Sequence, residues 1–325
     1  MSPASESTEF ESCASCASVA ETMAETVAET VETADTITAI TPQESFDEAY
    51  EELEQLGRGE FGIVRRAFHR KTGRQVAVKH MPKTTKSREE LANLSQLTGH
   101  ENVAKLLNHY ETEKELLLVL ELCDEGSLSD FLVKHLKGRR LGDEECALLM
   151  KQLLSAVKHC HDSGLVHNDL KFDNIMLASS AALPKLKLID FGNAQSSTKK
   201  APVDDMWFVG IIFYQLTTGQ PFFQMDSDEL ESMDEQGVFV DPGSMQCDAF
   251  YVQLRLSIAK RFGNSITLDL LSKMLQTNRN VRITATDALD HPFLLRLQER
   301  FEKGDERKGS LESLGNVSTA PTLAN

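Results

Sequence analysis

Gly57, Gly59, Gly62 and Val64 spell G-x-G-x-x-G-x-V. Glycines let bare backbone come close to phosphate oxygens, although the same pattern also makes tight turns and dinucleotide sites. A dinucleotide site needs its glycines to follow a strand and open a helix. Here the strand-forming residues Phe61, Ile63 and Val64 continue beyond them, which favours a hairpin folded over phosphates. Fifteen residues after Val64, Lys79 ends the run Val76-Ala77-Val78-Lys79. On a strand, Ala77 and Lys79 share one face while Val76 and Val78 share the other. A strand lysine commonly just faces solvent. One that follows a glycine hairpin by a single strand-turn-strand, beside an alanine, makes an apolar roof and a cation for phosphates. Two further clusters are His167-Asn168-Asp169-Leu170-Lys171-Phe172-Asp173-Asn174 and Asp190-Phe191-Gly192, the latter preceded by the apolar stretch 186–189. Either cluster alone could be an ordinary loop.

These side chains need elements to hold them. Residues 74–81 read as a strand, 87–97 as a helix, and 104–110 and 115–121 as strands. Cys146, Leu149, Met150, Leu153, Leu154, Val157 and Cys160 recur at three- and four-residue spacing, which predicts a long amphipathic helix. Beyond Asp205 the chain reads as helical. Thr284 and Asp287 resemble a capping box opening a last helix before His291-Pro292. The order is a small β-rich part followed by a mostly helical one.

Together, and in this order, the motifs resemble the signature set of eukaryotic serine/threonine protein kinases, over about residues 52–298. The resemblance implies an α+β, bilobal fold. Its kinase domain would span 49–298, with a β-rich N-lobe over about 49–121 and a helical C-lobe over about 124–298. It implies ATP and Mg²⁺ as cofactors and proteins as substrates. Gly57, Gly59 and Gly62 then correspond to the phosphate-covering loop, Val64 and Ala77 to the adenine roof, and Met176 to its floor. Lys79 corresponds to the phosphate-binding lysine, with Glu90 as its helical partner and Glu89 as runner-up. Leu120 takes the gatekeeper place, so 121–123, from Glu121 to Cys123, would be the adenine-reading hinge. Asp169 corresponds to the catalytic base, Asn174 and Asp190 to the metal-holding pair, and Lys171 to a second cation near the γ-phosphate that marks serine/threonine kinases. Asp205 corresponds to the aspartate that ties down the catalytic loop. Arg282 corresponds to an arginine that pairs with the glutamate of an Ala-Pro-Glu motif.

The chain departs from this pattern twice. Asn168 stands where most regulated kinases have an arginine that grips an activation-loop phosphate, and an asparagine makes no bidentate phosphate contact. Only twelve residues, 193–204, separate Gly192 from Asp205. They span at most ~43 Å extended, enough to bridge the gap but not to build a peptide-binding platform. Ala201-Pro202-Val203 stands in for Ala-Pro-Glu, and Val203 is expected to accept no hydrogen bond, so either Asp204 takes over as the partner of Arg282 or Arg282 is open to water. Three readings fit: an active kinase with unusual substrate docking, an ATP-binding pseudokinase scaffold, or a sequence lacking an exon.

The net charge of −16 is unevenly placed. Residues 1–57 carry fourteen of the fifty acids and no lysine or arginine, which leaves 36 acids against 34 bases in the rest. That balance does not suit a nucleic-acid partner. No run of eighteen apolar residues predicts a membrane span. The first basic residue is Arg58, so neither a secretory nor a mitochondrial leader is expected, and the expected location is cytoplasmic or nuclear. The six cysteines then read as reduced thiols, Cys13 and Cys16 being a lone C-x-x-C in a small-residue stretch. Residues 1–48 form an acidic, low-complexity tail expected to be disordered. Within it Val19, Met23, Val27 and Val31 make only a narrow i, i+4 stripe. Residues 303–325 read as a polar tail. The sequence assigns no oligomeric state.

Overall fold

The alternation at residues 74–81 becomes one strand of an antiparallel sheet in a computed structural model of the chain, which describes residues 44–59, 62–136, 138–178, 185–222, 256–257, 259–260 and 264–295. The acidic run 1–43, the C-x-x-C pair and the tail 303–325 lie outside the described residues. The sheet comprises β1 (Tyr50–Gly59), β2 (Gly62–His69), β3 (Gln75–Pro82), β4 (Leu106–Glu111) and β5 (Glu115–Glu121), in the order β1-β2-β3-β5-β4. Its register sets Val64, Lys79 and Leu118 side by side, and Ala77 opposite Leu120. Period two then sorts the faces. Val76, Val78, Leu117 and Val119 pack in an outer cluster with Ala49, Tyr50 and Ala67. Met81, Leu116 and Leu118 join the main core.

A short helix, α1 (Phe46–Ala49), covers the outer cluster. It falls partly within the stretch 1–48 expected to be disordered. The reasons are local: Ser45 and Glu48 form a capping box, and Phe46 meets Tyr50 at 5.4 Å and Tyr110 at 5.5 Å between ring centroids.

Helix α2 (Thr85–Leu97) crosses the other face. Thr84 caps it by accepting from the Ser87 N–H, and Glu90, Leu94 and Leu97 are its buried side. The helical part is built on α4 (Asp143–Asp162), which follows the short α3 (Leu128–Phe131). All seven residues of the expected apolar stripe in α4, from Cys146 to Cys160, are buried. Hairpin strands β7 (Ile175–Ala178) and β8 (Lys185–Leu188) carry the loop residues between them and the sheet, and β6 (Leu165–Val166) pairs with β9 (Gln195–Ser196).

Helix α5 (Pro202–Thr218) begins three residues before Asp205, because Pro202 occupies its first turn, where a missing N–H costs nothing. It packs on α6 (Ser265–Met274). Contact is close at Gly210, where an added Cβ would lie 2.9 Å from Leu275 Cδ2. Helix α7 (Ala285–Leu289) is capped by Thr284 accepting from the Asp287 N–H. No helix among the described residues is long and apolar enough to cross a membrane.

Candidate active site

Lys79 lies on β3 facing α2, and its ammonium is shared. It donates to Glu90 Oε1 at 2.6 Å and to Asp190 Oδ1 at 2.9 Å. Glu89, the alternative partner, is exposed, because one residue's rotation on a helix turns it away from the sheet. Glu90 is 2% exposed, so its charge has no solvent to fall back on. Burial works against the Lys79 ammonium, but Glu90 and Asp190 outweigh it and hold its pKa above the ordinary lysine value. Burial pushes the Glu90 carboxyl up, and Lys79 opposes this only in part. Burial also acts to raise Asp190, yet Lys79, with help from His167 and the Gly192 N–H, holds it below the ordinary aspartate value. The three groups join the sheet, the helix and the loop after β8 through one cation.

The loop between β6 and β7 presents Asp169. Lys171 Nζ donates to its Oδ2 at 3.1 Å and Asn174 Nδ2 to the same oxygen at 3.0 Å. Asn174 Nδ2 also donates to the Asp169 carbonyl at 2.8 Å, which leaves the Asn174 carboxamide oxygen for a cation. Asp169 Oδ1 is buried and receives no protein donor. The loop itself hangs from Asp205 on α5. That carboxylate accepts from the His167 N–H at 2.8 Å, the Asn168 N–H at 2.9 Å and His161 Nε2 at 2.9 Å. Asn168 and Asp190 each have φ of +62°, a left-handed conformation that Asn and Asp tolerate better than other side chains. The Phe191 ring, fully buried, packs edge-on to His167 at 4.9 Å.

Above this lie the glycines. Gly57 pairs with Val64 across the hairpin, and a Cβ added at Gly57 or Gly59 would meet nothing within 4 Å. Gly62 is different: with φ of +153°, its added Cβ would lie 1.9 Å from the His80 carbonyl oxygen. Phe61, at the tip, lies outside the described residues. Ala77 is nearly buried under this hairpin. Met176 on β7 bridges to Ser127 and pairs with Lys187. Glu121 ends β5 opposite Val76. Cys123 follows in a segment tied to β7 by Glu125 N–H donating to the Leu177 carbonyl at 3.1 Å. Burial, with Glu121 beside it, pushes the Cys123 thiol up to about 12, so it is no nucleophile near neutrality.

Two contacts were not anticipated from the sequence, and a third was anticipated only in part, through Asp204. The Glu121 side chain accepts from Lys187 at 2.7 Å and from the Lys105 N–H at 2.7 Å, which fixes the start of the expected hinge to β8. Nothing in the run Lys185-Leu186-Lys187-Leu188 singled out Lys187. The carboxamide of Asn93 donates to the Phe191 and Ala194 carbonyls, each at 3.3 Å. Arg282 is buried without a glutamate. It donates to the Val203 carbonyl at 2.9 Å and the Gln276 carbonyl at 2.8 Å, lies 3.6 Å from Asp204 Oδ1, and stacks on Trp207. The expectation that Val203 could offer nothing is corrected: its side chain cannot accept, but its backbone does.

The family model described as the protein kinase domain matches residues 50–204 and 196–294. The two matches overlap on 196–204, within the shortened stretch. Sperm motility kinase 2B of Mus musculus is 31% identical over 77% of this chain and 53% of its own. The calcium/calmodulin-dependent protein kinase type II alpha chain of Drosophila melanogaster is 29% identical over 83% of this chain and 53% of its own. The SNF-related serine/threonine-protein kinase of Rattus norvegicus is 30% identical over 75% of this chain and 34% of its own. The chain belongs to the eukaryotic serine/threonine protein kinase family. It spans about half the length of the first curated relatives it matches. The sheet and the helical part are thus the two lobes of a protein kinase domain.

The residues present fit the nucleotide and cation that the family uses. No cluster of three or more His, Cys, Asp or Glu poised for a metal occurs among the described residues. Magnesium characteristically rests on one or two protein oxygens plus phosphates, and Asp190 with Asn174 can supply that pair. Open backbone at Gly57 and Gly59 leaves room for phosphate oxygens.

Proposed function

We propose that this kinase domain, assigned to residues 49–298, transfers the γ-phosphate of ATP to serine and threonine hydroxyls of proteins in a Mg²⁺-dependent reaction. Mg²⁺-ATP, when bound, supplies the transferable group and the divalent charge that stabilises it. The chain's residues do the rest. Lys79 neutralises phosphate charge while Glu90 holds its ammonium in place. The 57–62 hairpin covers the phosphates, and Val64, Ala77 and Met176 enclose the purine, with the backbone of 121–123 reading its edge. Asp169 aligns the attacking hydroxyl and accepts its proton. Lys171 adds a cation beside the migrating group.

The observation that carries this reading is the Asp169 carboxylate. One oxygen is fixed by Lys171 and Asn174, and the other is buried with no protein donor. An unpaired buried acceptor is costly, and a substrate hydroxyl supplies the missing donor. A scaffold that only held ATP gains nothing from such an arrangement.

One feature favours the second reading, an ATP-binding scaffold. The stretch from β9 to α5 closes directly through Ala201 and Pro202, leaving no room for a peptide platform. The test is phosphate transfer from labelled ATP to a generic basic protein, with Asp169→Asn as control. Transfer onto serine and threonine, about 10²–10⁴ slower in the mutant at similar ATP affinity, is expected. ATP binding without transfer would give the scaffold reading the advantage, and equal rates in mutant and wild type would remove Asp169 from its role.

A further inference from the structure

The turn that follows Asp190 is held from both lobes by neutral carboxamides. From the N-lobe, Asn93 Nδ2 donates to the Phe191 and Ala194 carbonyls at 3.3 Å each. From the C-lobe, Asn168 Nδ2 donates to the Asn193 carbonyl at 3.2 Å and to the Val166 carbonyl at 3.4 Å. The turn closes on itself through the Ala194 N–H donating to the Phe191 carbonyl at 3.1 Å. The carbonyls of Phe191, Asn193 and Ala194 are therefore each engaged.

We propose that Asn93 and Asn168 are positioning residues, which together clamp the 191–194 turn so that Asp190 stays on Lys79 without any phosphate on the segment that follows. This rests on the kinase reading for its meaning but not for its geometry. Asn93 lies three residues after Glu90 on α2, so the two share a helix face. Glu90 reaches Asp190 through Lys79, and Asn93 reaches the next turn directly. A shift of α2 away from the C-lobe breaks both links together. Asn168 is fixed in turn, its own N–H held by Asp205 Oδ1 at 2.9 Å and its backbone left-handed at φ of +62°. A short amide at that position spans the gap between β6 and the turn. Carboxamide donors carry no charge to be balanced and need no modification to act. The site would be set by folding alone.

The test is amide hydrogen exchange across 190–197 in the full chain without nucleotide, comparing wild type with Asn93→Ala and Asn168→Gly. Alanine suits the helix, and glycine keeps the left-handed backbone. Each variant should exchange about three- to tenfold faster in this stretch, the effect of losing a hydrogen bond or two, with α4 unchanged. The Mg²⁺ concentration for half-maximal transfer should rise in both variants, and phosphatase treatment should leave the wild-type rate unchanged. Exchange as fast in wild type as in the variants overturns the clamp, as does a wild-type rate that falls on phosphatase treatment. Should Asn168→Gly fail to fold, Asn93→Ala decides alone. A wild type that transfers no phosphate removes the proposed function, while the exchange comparison still judges the clamp.

Discussion

Lys79 carries two carboxylates that respond to acid in opposite ways. Glu90 is raised because it is buried, so it takes up a proton above the ordinary glutamate value of ~4.3. Its contribution to stability is therefore complete below that value and is lost as pH rises through the raised one. Asp190 is lowered, the pull of Lys79 overcoming burial. Its contribution is present above ~3.9 and is lost only as pH falls through its depressed value. As the medium is acidified, Glu90 neutralises first and Lys79 is left to Asp190 alone. ATP affinity should then fall at a pH above the ordinary glutamate value, before the fold itself responds to Asp190. Glu90→Gln, which mimics the neutral side chain, should bind ATP more weakly near neutrality and show no such acid limb. Titrating fluorescent ATP analogue binding against pH in both proteins checks this, and an identical limb in the mutant would assign it to another group.

The elements that place these residues were legible in the sequence to different degrees. Alternation in residues 74–81 was enough to set Lys79 on the Ala77 face, and the resemblance preferred Glu90 over Glu89, the choice that turns Leu91, Leu94 and Leu97 inward on the same helix. Periodicity works there because a buried face must be apolar over several residues. It is silent where a backbone group does the binding. The Val203 carbonyl and the carbonyls that Asn93 reaches carry no side-chain pattern, so only the folded backbone reveals them, while the side-chain pair of Lys187 and Glu121 joins two strands that no local pattern relates. The shortened stretch after Gly192 is such a case. Its strand β9 is fixed by backbone pairing to β6, and the Ser197 N–H donates to the Gly164 carbonyl at 2.8 Å. The Ser196 and Thr198 hydroxyls bond to each other at 2.9 Å and, among the described residues, to no arginine. Replacing Ser196, Ser197 and Thr198 together by alanine should thus leave transfer activity within about twofold, the usual range for exposed substitutions. A folded triple mutant without activity would show that phosphate on this stretch matters after all.

At the scale of the whole domain, two closures involve neither Lys79 nor Asp169 directly. The first is aromatic. Phe46 and Tyr50 stack at 5.4 Å on the outer face of the sheet, and Tyr50 is 2% exposed. A chain starting at Glu51 should melt about 6–20 °C below one starting at Gln43, because removing the buried aromatic Tyr50 costs about 3–5 kcal/mol and a domain of this size loses about 2–4 °C per kcal/mol. Equal melting in a calorimeter would mean that α1 adds nothing. The second closure is polar. In the family that the chain resembles, a glutamate stands opposite Arg282, and here Asp204 was the expected substitute. The position holds Val203, and a buried guanidinium with no partner should not survive in a folded domain. The structure answers with a distributed arrangement. Two carbonyls take two of the guanidinium's N–H groups, Asp204 supplies charge while also pairing with Arg279 at 2.9 Å, and the Trp207 ring lies beneath at 5.2 Å. Arg282 thereby ties the start of α5 to the turn before α7, across the place where a longer segment would otherwise sit. Arg282→Met keeps the apolar stem but strands both carbonyls, and should cost about 3–5 kcal/mol, a melting shift of about 6–20 °C. Arg282→Lys keeps the charge but cannot reach both carbonyls with a planar fork, so it should fall between. A lysine variant as stable as wild type would show that charge opposite Asp204 suffices, and a methionine variant as stable would show that the arginine closes nothing.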